Sequence, residues 1–280
     1  MASPGAPAGA LAGALAGAVD IWTRMATARA RSQWQYRGSF ALFLIGQALT
    51  SFIDFLALLT IFTQVEALGG WSVAEVALLY GMASTSFHLT DQIIGSLDHL
   101  PLRVQDGSFD SYLLRPAGAL VQVTADGFAL RRLGKLLQAV PVLVVALAAV
   151  NVHWSVATAA HLAVSIAAGS VIFGCVWIAG VTVCFWIIDA REFVNAFTYG
   201  GNFLANQPME IYSSWFRRVF VIIPVAFVNY LPALSILDKD RPPWAPVWLS
   251  YASPGVALAS VLIANLIWRH GLRHYRSTGS

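Results

Sequence analysis

The chain has 280 residues, 58% hydrophobic and only 11% charged, with a formal net charge of +3. Soluble domains carry about a quarter charged residues, so this deficit and the mean hydropathy of +0.66 place the chain in a bilayer. Its 17 Lys and Arg form no dense patch, which excludes a nucleic-acid partner.

Residues 1–19 are rich in Ala and Gly, with Pro4, Gly5 and Pro7 near the start and no basic residue. A signal peptide needs a positive start and a compact apolar run, so a disordered, uncleaved tail is expected here. Residues 20–37 mix Trp, Tyr and Arg without a long apolar run. They suit an amphipathic helix on the inner membrane surface, with anionic lipid as counter-charge.

A membrane span needs about 20 mostly apolar residues. Six stretches qualify, at about 39–63, 74–97, 134–151, 156–187, 217–235 and 249–268. The expectation is therefore an all-α membrane protein with six transmembrane helices, a loop over 98–133 and a tail over 271–280. Pro224 and Pro232 make the fifth span kinked or partly re-entrant. Cys175 and Cys184 fall on opposite faces of the fourth span, about 13 Å apart along its axis, and cannot pair with each other.

Basic residues flanking the spans set the orientation. With both termini cytoplasmic, fifteen of the seventeen basic residues lie inside, Arg191, Arg217 and Arg218 among them, leaving Lys239 and Arg241 outside.

Polar residues follow helical spacing within the first two spans. Gln47, Thr50, Ser51 and Asp54 share one face of the first; Gly81, Ser84, His88, Asp91 and Gly95 share one face of the second. Polar groups facing lipid are costly, so both stripes should face protein or water. Two readings stay open: a translocation path through Gln47, Thr50, Ser51, Asp54, Ser84, His88 and Asp91, or hydrogen bonds that hold helices together. In the fourth span, Ala160, Ala163, Ala167, Ser170 and Gly174 form a small-residue face for close helix packing, within the chain or between subunits.

No metal-ligand spacing and no hydrolase elbow occur, so no metal site and no catalytic residue is expected. A phosphate-cradling loop is missing too, because Leu136 follows Gly134-Lys135 where Ser or Thr is needed.

The most distinctive stretch is VQDGSFDSYLLRPAGALVQV, 104–123. Asp106 or Ser108 can cap a short helix whose first turn holds Asp110. Phe109, Tyr112 and Leu113 then share a face, and Pro116 ends the helix after Arg115. Such an amphipathic helix can seat its apolar face in a cytoplasmic partner, or simply rest on lipid.

The run from Gly107 to Pro116, GSFDSYLLRP, resembles the signature of bacterial permease subunits of type-2 ATP-binding cassette (ABC) exporters. A second matching region is 207–237, with Pro208, Arg217, Pro224, Ala226-Phe227, Asn229-Tyr230 and Pro232, and a weaker one is 33–40. The resemblance covers about 20–275. It implies a connecting helix before the first span and a coupling helix at 106–116, formed by Asp106, Gly107, Phe109, Asp110, Tyr112, Leu113, Arg115 and Pro116. It also implies two separate ABC ATPase subunits, which bind ATP and Mg, and a second permease, identical or homologous. The polar stripes would lie near the dimer axis, 229–248 would form an outer re-entrant gate, and the location would be the bacterial inner membrane. An ion-coupled secondary transporter using Asp54 is the alternative. An intramembrane enzyme would have to use Ser84 or Ser86 with His88.

Overall fold

The computed structural model describes residues 8–187 and 190–276, which are helical apart from turns and one isolated bridge between Leu68 and Trp71. The first helix, α1, spans Ala8–Trp34. It therefore takes in residues 8–19, expected as a disordered tail; alanine is the strongest helix former, and this stretch repeats it. Residues 1–7, the rest of that expected tail, lie outside the described residues.

Helix α2 (Arg37–Ile61) follows, then α3 (Val73–Ile94), opened by a capping box between Ser72 and Glu75. The connection between α3 and the next long helix holds three short ones: α4 (Leu100–Gln105), α5 (Asp110–Leu113) and α6 (Ala119–Asp126). Helices α7 (Leu133–Ala149) and α8 (Val156–Thr182) come next and pack on opposite flanks of α3. They are followed by α9 (Arg191–Ala205), α10 (Ser214–Ile222), α11 (Tyr230–Ile236) and α12 (Ser253–His274). Helix α12 extends into the expected tail at 271–280, whose residues 277–280 lie outside the described residues.

Helix α3 forms the centre of the bundle, packed between α7, α8 and α9, while α12 lies on α8 and α2 on α7. A side chain at Gly81 would put its Cβ 2.7 Å from the Leu143 Cα, so α3 and α7 meet backbone to backbone. Phe87 of α3 stacks on Trp177 of α8 with ring centres 5.4 Å apart. In α8, Leu162, Ser165 and Gly169 turn inward, whereas Ala160, Ala163 and Ala167 of the small-residue face are exposed.

Among the described residues, four helical stretches are long and apolar enough to cross a membrane, Arg37–Ile61, Leu130–Ala149, Val156–Phe185 and Ser253–His274, and a bent pair, Ser214–Ile222 with Val225–Ile236, is a fifth if it counts as one. Helix α3 has the length, with 22 residues, but is too polar to join them.

The expected fifth span, 217–235, is not one straight helix. Its two limbs, Ser214–Ile222 and Val225–Ile236, meet at 76°. The chain enters this element beside Trp71, whose indole donates to Glu210 at 3.0 Å. It leaves at Lys239, which donates to the Gly70 carbonyl at 3.1 Å and to Glu75 at 2.8 Å. Both ends thus sit at the start of α3, so the element turns back on itself as a hairpin. Pro224, which cannot donate a backbone hydrogen bond, stands at the bend.

The return to that end of the bundle is made by α9. It starts near the loop end, where Tyr199 donates to Asp98 at 2.8 Å, and it finishes where Asn206 meets Ser84. The end holding residues 95–132 is called the near end below, and the end holding Trp71 the far end. Arg217 and Arg218 accordingly belong to the far end with Lys239 and Arg241, a correction to their expected placement, and thirteen of the seventeen basic residues remain at the near end.

Candidate functional site

A cavity of about 440 Å³ lies between α2, α3 and α9. Helix α2 supplies Ser51, Asp54 and Leu58, α3 supplies Tyr80, Ser84 and His88, and α9 with its C-terminal turn supplies Tyr199, Asn202, Asn206 and Gln207. The two polar stripes read from the sequence therefore converge at Ser51, Asp54, Ser84 and His88. Tyr80 donates to the Ser51 carbonyl at 3.1 Å and ties α3 to α2.

Two buried polar atoms of this lining have no hydrogen-bond partner among the described residues: His88 Nδ1 and the Asn202 amide oxygen. His88 is only 6% exposed. A buried polar atom without a partner costs about 1–3 kcal/mol, and water or a polar solute in the cavity would relieve both atoms. The cavity holds one carboxylate, Asp54, and no Lys or Arg.

The other expected path residues go elsewhere. Gln47 sits against Gly134 of α7, and the Thr50 hydroxyl bonds back to the Gly46 carbonyl at 2.9 Å on an exposed part of α2. Asp91 is buried in an ion-pair cluster, 3.0 Å from the Lys135 ammonium and 3.3 Å from the Arg132 guanidinium. Of the two readings open for Asp91, helix linkage is the one its contacts support.

The cavity residues missed in the sequence come from α9 and from Tyr80. Tyr199, Asn202 and Asn206 follow the same i, i+3, i+7 helical spacing as the stripes on α2 and α3, which was the available signal. It was hidden because 191–207 is too polar to read as a crossing element.

The far-end hairpin is pinned to the same helices. Asn229 donates to the Leu79 carbonyl of α3 at 3.0 Å and to the Ala205 carbonyl of α9 at 2.6 Å. The second of these satisfies an end carbonyl that α9 would otherwise leave open. Through one side chain, the hairpin is coupled to two walls of the cavity.

The near end carries the segment 106–116. Gly107 has φ +75°, a left-handed conformation that favours glycine and that ends α4. The Asp106 carboxylate accepts from the Ser108 amide at 2.9 Å. Helix formation proper is limited to Asp110–Leu113.

The face expected to dock on a partner is divided. Phe109 is fully buried within this chain, its ring 5.4 Å from Phe185 and 5.1 Å from Tyr275, and Tyr112 is buried beside it. Only Leu113 of that face points outward, joined by Leu114, which is 88% exposed. Arg115 and Pro116 are also exposed, and the Arg115 guanidinium lies 5.8 Å from the Tyr112 ring centre. Phe109 and Tyr112 therefore anchor the segment, and Leu113 and Leu114 are what it presents. The physical reason is that a one-turn helix cannot place residues i and i+4 on equal terms once the first is drawn into the core.

The anchoring is polar as well as apolar. Tyr275 donates to Asp110 at 2.8 Å, linking the segment to the end of α12. Burial first, then donation to Asp110, pushes the Tyr275 hydroxyl up to about 12. Asp126 gathers three elements: it pairs with Arg29 of α1, accepts from Tyr112 at 2.9 Å and lies 3.3 Å from Arg103. Burial alone would raise the Asp126 carboxyl, but the Arg29 and Tyr112 hydrogen bonds and the charges of Arg29 and Arg103 outweigh it and hold the group below its ordinary range. Gln33 extends the docking of α1, donating to the Phe128 carbonyl and accepting from the Leu130 amide.

Residues 48–279 match the family model described as ABC-2 family transporter protein. No curated protein and no solved structure matches the chain.

Proposed function

Because the chain belongs to the ABC-2 transporter family, a family of membrane permeases, we propose that it is the transmembrane half of an ATP-driven exporter that works with separate ATPase subunits. Six crossings are assigned to α2, α3, α7, α8, α9 and α12, with α10–α11 as a hairpin entering from the outer face. Thirteen basic residues at the near end support a cytoplasmic near end. ATP and Mg belong to the ATPase partners, two copies of which meet two permeases, identical or related, in the bacterial inner membrane.

The observation that carries this reading is the pairing of an outward near-end tip with a polar cavity behind it. Leu113 and Leu114 form the contact with an ATPase. The segment behind them is clamped to α1, α6 and α12 through Asp126 and Tyr275, so a push on it moves the ends of three helices together. The cavity between α2, α3 and α9 is the substrate path. Helix α2 would meet the second permease with its exposed apolar face, and the far-end hairpin would close the path from outside, acting on α3 and α9 through Asn229.

Replacing Leu113 and Leu114 together by Asp tests the coupling role, because both are exposed and neither supports the fold. The expected result is normal membrane insertion, with co-purified ATPase and nucleotide-driven transport reduced at least tenfold, since an interface anchor contributes about 2 kcal/mol or more. Undiminished ATPase recovery and transport would remove the assignment. Transport in vesicles driven by a proton gradient without nucleotide, and lost in Asp54→Asn, would instead support the ion-coupled reading.

A further inference from the structure

The far-end hairpin carries a second feature that the transport reading does not use. Helix α10 reads SWFRRVFVI, so two adjacent arginines sit on the limb of the hairpin that the proposed function sets into the outer face of the membrane. A groove of about 550 Å³ is lined by Ser214, Arg217, Arg218, Val221, Ile222 and Trp244. Neither arginine has an ion pair among the described residues, and the Arg217 Nε is buried without a hydrogen-bond partner.

Two adjacent guanidinium groups with no ion pair among the described residues, one of them with a buried unpartnered Nε, favour an anion as their partner. The groove is amphipathic in the sense a lipid requires. Its cationic side lies toward the start of α10 and the far-end loop, while Val221 and Ile222 continue it toward the bend, with Ile222 80% exposed. Trp244 of this groove and Trp215, next to Ser214 in α10, are both exposed and are the ring type that settles at headgroup depth. The guanidinium fork matches phosphate oxygens in a bidentate manner.

We propose that this groove is a specific site for an anionic phospholipid of the far-end leaflet, its phosphate held by Arg217 and Arg218 and its acyl chain lying over Val221 and Ile222. The occupant is a whole lipid, since the apolar limb of the groove gives a free phosphate nothing to cover. The site sits on the limb of the hairpin opposite to Asn229. Lipid binding there would bias the hairpin without any contact to the cavity.

The test uses the purified full chain in detergent and compares dioleoyl phosphatidylglycerol with dioleoyl phosphatidylcholine, read by native mass spectrometry and by thermal unfolding. Retention and stabilisation by phosphatidylglycerol, and not by phosphatidylcholine, is the expected result. Arg218→Gln, at an exposed position, should weaken that binding about fivefold, and Arg217→Gln with Arg218→Gln roughly thirtyfold, from about 1 kcal/mol per basic residue near an anionic surface. The near-end pair Arg273→Gln with Arg276→Gln should leave it unchanged. Equal retention of the two lipids, unaltered binding in Arg218→Gln, or equal stabilisation by inorganic phosphate alone would overturn the proposal. If the double variant does not give a monodisperse protein, Arg218→Gln decides alone.

Discussion

Helices α2 and α3 are neighbours in sequence, both carry a polar stripe, and they are built in opposite ways. In the most apolar window of α2 only 11% of residues are buried, and Leu42, Phe43, Ile45, Leu49 and Ile53 all face outward. Helix α3 is buried along nearly its whole length, including Ser84, Ser86, His88, Thr90, Asp91 and Gln92. The outer helix is the more apolar and the inner one the more polar, the reverse of a water-soluble protein. Hydropathy in a membrane protein reports contact with lipid: α3 is screened by α7, α8 and α9 over most of its length, and its few outward positions, Val73, Leu89 and Ile93, are apolar.

The same kind of substitution should therefore act differently on the two helices. The largest difference is expected at their aspartates. Asp91→Ala leaves the Arg132 and Lys135 side chains, 13% and 18% exposed, without their common acceptor. The loss should be about 3–5 kcal/mol in unfolding free energy. Asp54→Asn, on the cavity wall of α2, should stay within about 0.5 kcal/mol in the same measurement while changing transport. Equal destabilisation by both would mean that α2 is as firmly embedded as α3.

A smaller effect of the same kind separates two glycines. Gly81→Ala forces a Cβ against the α7 backbone and should cost about 1–3 kcal/mol by overpacking. Gly46→Ala meets nothing within 4 Å on α2, and should be neutral or stabilising by up to about 1 kcal/mol through helix propensity. Thermal unfolding of the two variants side by side checks both signs.

The smallest expected effect concerns the docking of α1, where the ion pair is partly exposed and screened. The Asp126 carboxyl is lower in the folded protein than in the unfolded chain, so its contribution is complete above the ordinary carboxylate range, near pH 4, and fades as the pH falls below it. Asp126→Asn should therefore flatten the acid side of a stability–pH profile and leave its neutral side nearly level with the other surface variants. An unchanged acid limb would show that Arg29, Tyr112 and Arg103 do not hold that carboxylate.

Much of this was written locally. The apolar runs of α2, α7, α8 and α12 identify themselves, because each must face lipid and each is long enough to cross it. The stripes holding Ser51 and Asp54, and Ser84 and His88, were visible as helical spacing, and they do meet in one cavity. What spacing could not say was which stripe residue faces which neighbour: Asp91 has the same periodicity as His88, yet it is consumed by Arg132 and Lys135, residues about forty positions away. Phe109 shows the same limit, because its alternative partners, Phe185 and Tyr275, lie far along the chain.

The sequence by itself determined that the chain is a helical membrane protein, where its apolar helices lie and that it carries the residues of the ABC-2 family. Only the tertiary structure decided that both ends of the 214–236 element return to the start of α3, that the polar α9 packs beside α3, and that Asn202 and Asn206 complete the cavity. The physical reason is that hydropathy and spacing are properties of one segment in its solvent. A hairpin is distinguished from a crossing by where its two ends are tied, here by Glu210 to Trp71 and Lys239 to Glu75, and those ties join residues more than a hundred positions apart.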